Sequence, residues 1–304
     1  MGKISFLFSG QGAQVPGLGR QLAERSPAAA QVFALADSIR PGTSALCFEG
    51  TQEELNVTIN TQPAVFCANL AAADALVEAG IRPDFCAGFS LGEVAALTFA
   101  GAFSREEGFR LVCRRAELMQ QAAQENPGAM AAVLRLSNEQ VEQLCAGIGG
   151  LYPVNYNCPG QLVVAGSREG LDELAKQAAP LKGRVMPLAV SGAFHSPMMD
   201  SAAKGLERYL EEHPISLPEI PVYANLNAQP YGSRGAELLA AQVRCPVQWQ
   251  KTLENLAEAG CDTFIEVGVG KTLEGLVKKT LSGVTVCRVE NSETLDAALA
   301  LLKG

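Results

Sequence analysis

Apolar and polar positions follow two different grammars along the chain. Lys3 to Phe8 is a short apolar run that leads into Ser9-Gly10, which predicts a buried strand; the stretch Met1 to Phe8 reads as strand, not as a secretory leader. Helical spacing follows at Gly19 to Ala36, Thr51 to Asn56 and Gln62 to Ala79, the last with apolar residues on more than one face. Asp84 to Gly88 predicts a second strand and Gly92 to Ala102 an alanine-rich helix. Ser104 to Glu125 predicts another helix, opened by Ser104 and Glu107 as a capping box. Strands separated by helices imply an α/β fold with a parallel sheet.

From Gly128 the order changes. Ala129 to Leu134 reads as strand, Ser137 to Ala146 as helix, Leu151 to Asn157 and Gln161 to Ala165 as strands, Arg168 to Ala178 as helix and Arg184 to Val190 as strand. This βαββαβ order predicts an inserted ferredoxin-like small domain over 128–195, bounded by Asn126-Pro127-Gly128 and Ser191-Gly192. Residues 1–127 and 196–304 are then expected to form the main unit. Helices are expected at Ser196 to Glu212, Ala236 to Gln242, Trp249 to Ala259 and Leu273 to Leu281, with strands at Val222 to Asn225, Thr263 to Val267 and Val284 to Val289 and a terminal helix after them.

A chain of 304 residues that is 48% apolar can bury a full core with a satellite unit. A net charge of -8 without a basic run argues against nucleic acid or an anionic membrane as the main partner. No apolar run reaches the roughly 20 residues of a membrane span, so a soluble cytoplasmic protein is expected. Nine cysteines lie scattered without metal-ligand spacing, which suits free thiols in a reducing compartment; a cysteine nucleophile is the weaker alternative. Ser9-Gly10-Gln11-Gly12-Ala13-Gln14 is a glycine-rich loop after the first strand. It matches neither G-x-G-x-x-G nor a P-loop, so no nucleotide cofactor is expected.

The candidate chemistry centres on Gly88-Phe89-Ser90-Leu91-Gly92, a G-x-S-x-G sequence between a predicted strand and a predicted helix. Such an elbow lifts the serine hydroxyl out of the sheet beside a helix N-terminus, where a developing oxyanion meets N–H groups and a favourable dipole. The chain has two histidines: His213 sits among carboxylates at a helix end, whereas His195 sits where the chain returns from the inserted unit, so His195 is the candidate base. Asp200, Asp262, Glu266 or a backbone carbonyl could each fix its tautomer. Arg115, in the helix after the elbow helix, suits a substrate carboxylate.

Together with Asn155-Tyr156-Asn157-Cys158-Pro159-Gly160-Gln161, Gly192-Ala193-Phe194-His195-Ser196, Pro246-Val247-Gln248-Trp249 and Glu266-Val267-Gly268-Val269-Gly270-Lys271, these motifs make the chain resemble the malonyl-CoA:acyl carrier protein transacylases of fatty-acid synthesis and the related acyltransferase domains of polyketide synthases. The resemblance covers nearly the whole length. It implies an α/β-hydrolase-like core, Ser90 as nucleophile, His195 as base, Arg115 as malonyl clamp, the N–H groups of Gln11 and Leu91 as oxyanion hole, and the main-chain carbonyl of Gln248 as the group that orients His195. Phe194 resembles malonyl-selective members, in which bulk leaves little room for a branched acyl group. Phe89 departs from the histidine that many members carry before the nucleophile.

The implied reaction is ping-pong malonyl transfer from malonyl-CoA to the phosphopantetheine thiol of acyl carrier protein, without metal or cofactor, by a chain expected to act as a monomer. Alternatives are a stand-alone acyltransferase serving a polyketide synthase, a serine thioesterase and a non-catalytic scaffold. Lys278-Lys279, or Lys182 with Arg184, are candidate docking cations for an acidic carrier protein.

Overall fold

The computed structural model describes residues 2–303, so Met1 of the first expected strand lies outside the described residues. Nine strands occur among them: β1 (Lys3–Phe8), β2 (Phe85–Gly88), β3 (Ala129–Leu134), β4 (Leu151–Cys158), β5 (Gln161–Gly166), β6 (Arg184–Pro187), β7 (Val222–Tyr223), β8 (Cys261–Val267) and β9 (Thr285–Val289). They form a parallel sheet of order β7-β2-β1-β8-β9 and an antiparallel sheet of order β4-β5-β3-β6. The fold is therefore α/β with a parallel sheet, as the strand–helix alternation predicts. Val247, in the segment before the helix Trp249–Glu258 and outside both sheets, docks on β4, donating to the Val154 carbonyl at 2.8 Å and accepting from the Tyr156 N–H at 2.9 Å.

β1 and β2 are apolar because helices cover the parallel sheet; Phe6, Leu7, Phe8, Cys86 and Ala87 are fully buried. Three helices open on capping boxes, Thr51 with Glu54, Ser104 with Glu107 and Ser137 with Gln140. The expected helix from Gly19 to Ala36 is instead two, Arg20–Arg25 and Pro27–Ile39. Ser26 leaves helical geometry to cap the second through the Ala29 N–H, and Pro27 takes a first-turn position that needs no N–H donor. A helix at Thr43–Glu49, not expected from the sequence, follows a left-handed Gly42.

The buried helix begins at Thr58, ahead of its expected start at Gln62, and runs through Pro63 to Glu78. Proline cannot donate to the carbonyl four residues back. Here that carbonyl, on Ile59, accepts from Arg40 Nη1 at 2.9 Å. The expected helix from Ser196 begins as a 3₁₀ turn at Pro197–Met199 and becomes α-helical only at Asp200, while the strand expected to reach Val190 ends at Pro187.

Candidate active site

Ser90 stands between β2 and the helix Leu91–Phe99 with φ 55° and ψ −109°, left-handed backbone that a side-chain-bearing residue adopts only under constraint. The flanking glycines are what make the turn possible. A Cβ on Gly88 would lie 2.0 Å from the backbone of Gly92, and one on Gly92 would lie 2.2 Å from the Phe8 carbonyl oxygen. Gly88→Ala is accordingly expected to destabilise the protein by about 3 kcal/mol or more, or to prevent folding, because backbone has to move. A thermal melt within a degree or two of wild type would show that the elbow has slack.

Both polar groups of the Ser90 backbone are held from outside the elbow. Its N–H donates to Asn225 Oδ1 at 2.8 Å, and its carbonyl accepts from Gln242 Nε2 at 2.7 Å. Asn225 Nδ2 also donates to the Gly88 carbonyl at 2.6 Å. His195 is left-handed as well, φ 61°, and its N–H donates to the Val243 carbonyl at 2.9 Å. The structure thus brings together two strained residues, each of which costs about 1–3 kcal/mol that the surrounding hydrogen bonds offset.

The Ser90 hydroxyl oxygen lies 2.7 Å from His195 Nε2, and the other ring nitrogen, Nδ1, donates to the Gln242 carbonyl at 2.9 Å. That bond leaves Nε2 as the acceptor facing the serine. Gln248, expected to supply this carbonyl, does not: its carbonyl caps the helix Trp249–Glu258 and accepts from the Thr252 N–H and hydroxyl, both at 2.9 Å. The carbonyl that faces His195 comes six residues earlier, at the end of the helix Gly235–Gln242.

None of the candidate carboxylates serves His195. Asp200 pairs with Lys204 and Arg244, Asp262 accepts from the Thr263 hydroxyl, and buried Glu266 caps the helix Thr272–Thr280 through the Leu273 and Glu274 N–H groups. His213 instead stacks on Tyr209 with ring centroids 4.1 Å apart, its Nδ1 2.9 Å from the Tyr209 carbonyl.

Burial, with the Arg115 cation beside it, pulls the His195 imidazole down to about 4, so it is neutral and able to accept a proton at physiological pH. The acid limb of kcat/KM is therefore expected well below the ordinary imidazole value of about 6.5. The sign follows from the proton: lowering the pH through the depressed value protonates the base and removes activity. A pH–rate profile falling to half near 6.5 would contradict this.

Arg115 is 1% exposed, and burial lowers it to about 10, still charged at neutral pH. Nη2 lies 3.1 Å from Ser90 Oγ and donates to Gln242 Oε1 at 2.8 Å, while Nη1 donates to Gln62 Oε1 at 2.6 Å. Neutral acceptors thus orient the guanidinium without cancelling its charge, and Nε has no partner among the described residues. Gln62, Asn225 and Gln242 were not singled out in the sequence. A glutamine or asparagine that meets an active site only through tertiary contact has no local spacing to announce it.

Beside the elbow a cleft of about 240 Å³ runs between the glycine-rich loop and the antiparallel sheet, lined among others by Gln11, Gly12, Phe89, Asn157, Gln161 and Leu276. The N–H groups of Gln11 and Leu91 have no acceptor among the described residues. Asn155 and Asn157, both on β4 and lining the cleft, each keep a buried Oδ1 without a donor. Phe194 is 6% exposed and sits in the main core cluster immediately before His195. Phe89 packs edge-on against Trp249, ring centroids 5.3 Å apart.

Comparison with known proteins sets this geometry among enzymes. The acyl transferase domain family matches residues 5–296. The malonyl CoA-acyl carrier protein transacylase of Bacillus subtilis (strain 168) is 40% identical over 312 residues, an alignment covering 100% of this chain and 98% of that one. The crystal structure of the corresponding transacylase from Clostridium perfringens ATCC 13124 superposes with a TM-score of 0.95 at 37% identity, covering 99% of this chain and 97% of its own. A malonyl-transacylase solved in complex with a type II polyketide synthase acyl-carrier protein superposes at 0.94, with 34% identity over 98% of this chain and 99% of its own.

Proposed function

The chain belongs to the acyl transferase family, and from that premise we propose that it transfers malonyl groups from malonyl-CoA to acyl carrier protein through an ester on Ser90. The observation that carries the residue assignment is the contact set around one oxygen: Ser90 Oγ has His195 Nε2 at 2.7 Å and Arg115 Nη2 at 3.1 Å. His195 takes the hydroxyl proton as Ser90 attacks the thioester carbonyl. The oxyanion is received by the free N–H groups of Gln11 and Leu91, the carbon–sulfur bond breaks, and coenzyme A leaves as a thiol carrying the proton from His195. The carrier protein's thiol then gives its proton to His195, attacks the serine ester and restores the hydroxyl.

Arg115 holds the free carboxylate of the malonyl group throughout, and the bulk of Phe194 disfavours branched acids. The cleft beside the elbow takes the phosphopantetheine arm, whose amide N–H groups suit the unpartnered Asn155 and Asn157 oxygens. Lys279 donates to Gln161 at the rim of that cleft, 3.1 Å away, which favours it over Lys182 and Arg184 as a carrier-docking cation. Reversing the charge at Lys278 and Lys279 is expected to raise the KM for carrier protein several-fold and leave that for malonyl-CoA unchanged; an unaltered carrier KM would remove the pair.

We read the parallel-sheet unit as α/β-hydrolase-like and the β4-β5-β3-β6 unit as ferredoxin-like, on the support of their strand orders. We read the working form as a cytoplasmic monomer in fatty-acid synthesis; among the described residues no helix is long and apolar enough to cross a membrane. Intact-protein mass spectrometry after exposure to malonyl-CoA tests the central reading. A persistent adduct of one malonyl group, discharged by holo carrier protein, supports transfer. Steady release of coenzyme A with no adduct supports hydrolysis.

A further inference from the structure

The mechanism makes no use of Glu93, yet this carboxylate is 1% exposed and lies directly beneath the reacting groups. Its Oε1 accepts from the Tyr231 hydroxyl at 2.7 Å and the Asn225 N–H at 2.9 Å, and its Oε2 accepts from Gln242 Nε2 at 2.5 Å. Every partner of Glu93 is a donor. Gln242 in turn has a role for each of its polar atoms. The two N–H bonds of its amide go to Glu93 and to the Ser90 carbonyl, its Oε1 receives Arg115 Nη2, and its main-chain carbonyl receives His195 Nδ1.

An amide side chain can present either its oxygen or its NH₂ to a neighbour, and the two ends are nearly the same shape. We propose that Glu93 is a positioning residue for acyl selectivity: by accepting from Gln242 Nε2 it holds the amide oxygen towards Arg115, and so keeps the guanidinium aimed and charged for the malonyl carboxylate. Two acceptors, Glu93 Oε2 and the Ser90 carbonyl, enforce this orientation together. Turning the amide over would set oxygen against both and NH₂ against a cation.

The substitution Glu93→Gln exposes the dependence. The Asn225 N–H requires an acceptor and shares Oε1 with the Tyr231 hydroxyl, so the new amide turns its oxygen to them and its NH₂ to Gln242. Gln242 then either keeps its orientation with NH₂ against NH₂, or flips and presents NH₂ to Arg115. In the first case the amide that receives Arg115 is no longer fixed from Glu93 and is pushed away by the facing NH₂; in the second the charge-assisted bond itself is lost. Acetyl transfer, which makes no use of the guanidinium charge, is spared this loss.

The inference rests on the malonyl-transfer reading, and the wild-type enzyme checks that reading first: if wild type forms no malonyl-enzyme, it is the reading that fails. Given malonyl loading, kcat/KM is measured for malonyl-CoA and acetyl-CoA with holo carrier protein. Glu93→Gln is expected to lower the malonyl-to-acetyl ratio about 10- to 100-fold. Gln242→Leu, which keeps the main-chain carbonyl on His195, should lower it to a similar extent, and adding Glu93→Gln to Gln242→Leu should lower it no further. Tyr231→Phe removes one donor from Glu93 and leaves Oε2 on Gln242, so the ratio should stay as in wild type. An unchanged ratio in Glu93→Gln, or equal further loss in the double variant, overturns the proposal. Should Glu93→Gln fail to fold, an unchanged ratio in Gln242→Leu overturns it alone.

Discussion

Ser90→Ala is expected to abolish the malonyl-enzyme and to lower kcat for transfer to carrier protein by about 10⁶-fold, the scale of loss when a serine nucleophile is removed from a serine–histidine site. The change is small in every other respect. Alanine at φ 55° bears the same backbone strain as serine, and the anchors on the Ser90 N–H and carbonyl do not involve the hydroxyl. The melting temperature should therefore stay close to wild type, which separates lost chemistry from lost fold. Intact mass after incubation with malonyl-CoA reads the outcome. An adduct of undiminished stoichiometry on the variant would place the nucleophile elsewhere, and the cysteines are poor substitutes: burial pushes the Cys47 thiol up to about 12 and Cys113 and Cys145 up to about 11, which leaves little thiolate at neutral pH.

Arg115→Ala is expected to cost malonyl transfer about 2–4 kcal/mol, a factor of roughly 30 to 1,000 in kcat/KM, while acetyl transfer falls far less or rises. The physical cause is a charge comparison. With the guanidinium present, the malonyl carboxylate enters a buried site that already holds a cation presented by neutral Gln62 and Gln242; without it, the carboxylate is desolvated with no counter-charge. The alanine also leaves two glutamine oxygens without a donor, so some stability is lost. That loss acts on both substrates alike, and the ratio of the two rates is therefore the measurement that decides. Equal falls for malonyl and acetyl would show that Arg115 supports the fold and does not read the acid.

Much of this was legible because the informative residues sit in local patterns. The elbow needs glycine at 88 for its contact with Gly92 four residues on, the capping boxes are complete within four, and the alternation of strands and helices appears in apolar spacing. What escaped depends on distance in sequence. The break at Ser26-Pro27 was hidden inside continuous helical spacing, because apolar periodicity runs across a cap that changes only one residue's backbone. Where the helix passes through Pro63, the Ile59 carbonyl that proline leaves free is served by Arg40, 19 residues before Ile59. The carbonyl facing His195 belongs to Gln242 and not, as the resemblance implies, to Gln248: the two glutamines lie six residues apart, and a main-chain acceptor leaves no mark on the side chain that carries it.

The two strained residues share one further property. Ser90 is pegged by Asn225 and Gln242, and His195 by Gln242 and Val243, all supplied by the stretch between β7 and the helix Trp249–Glu258. A nascent chain that has left the ribosome only as far as residue 212 already contains the hydroxyl, the imidazole, the guanidinium and Gln62, but none of the groups that peg the backbones of Ser90 and His195. Synthesis must pass residue 243 before both backbones are pegged, so the paired geometry of Ser90 and His195 is acquired only after all three reactive side chains have been made.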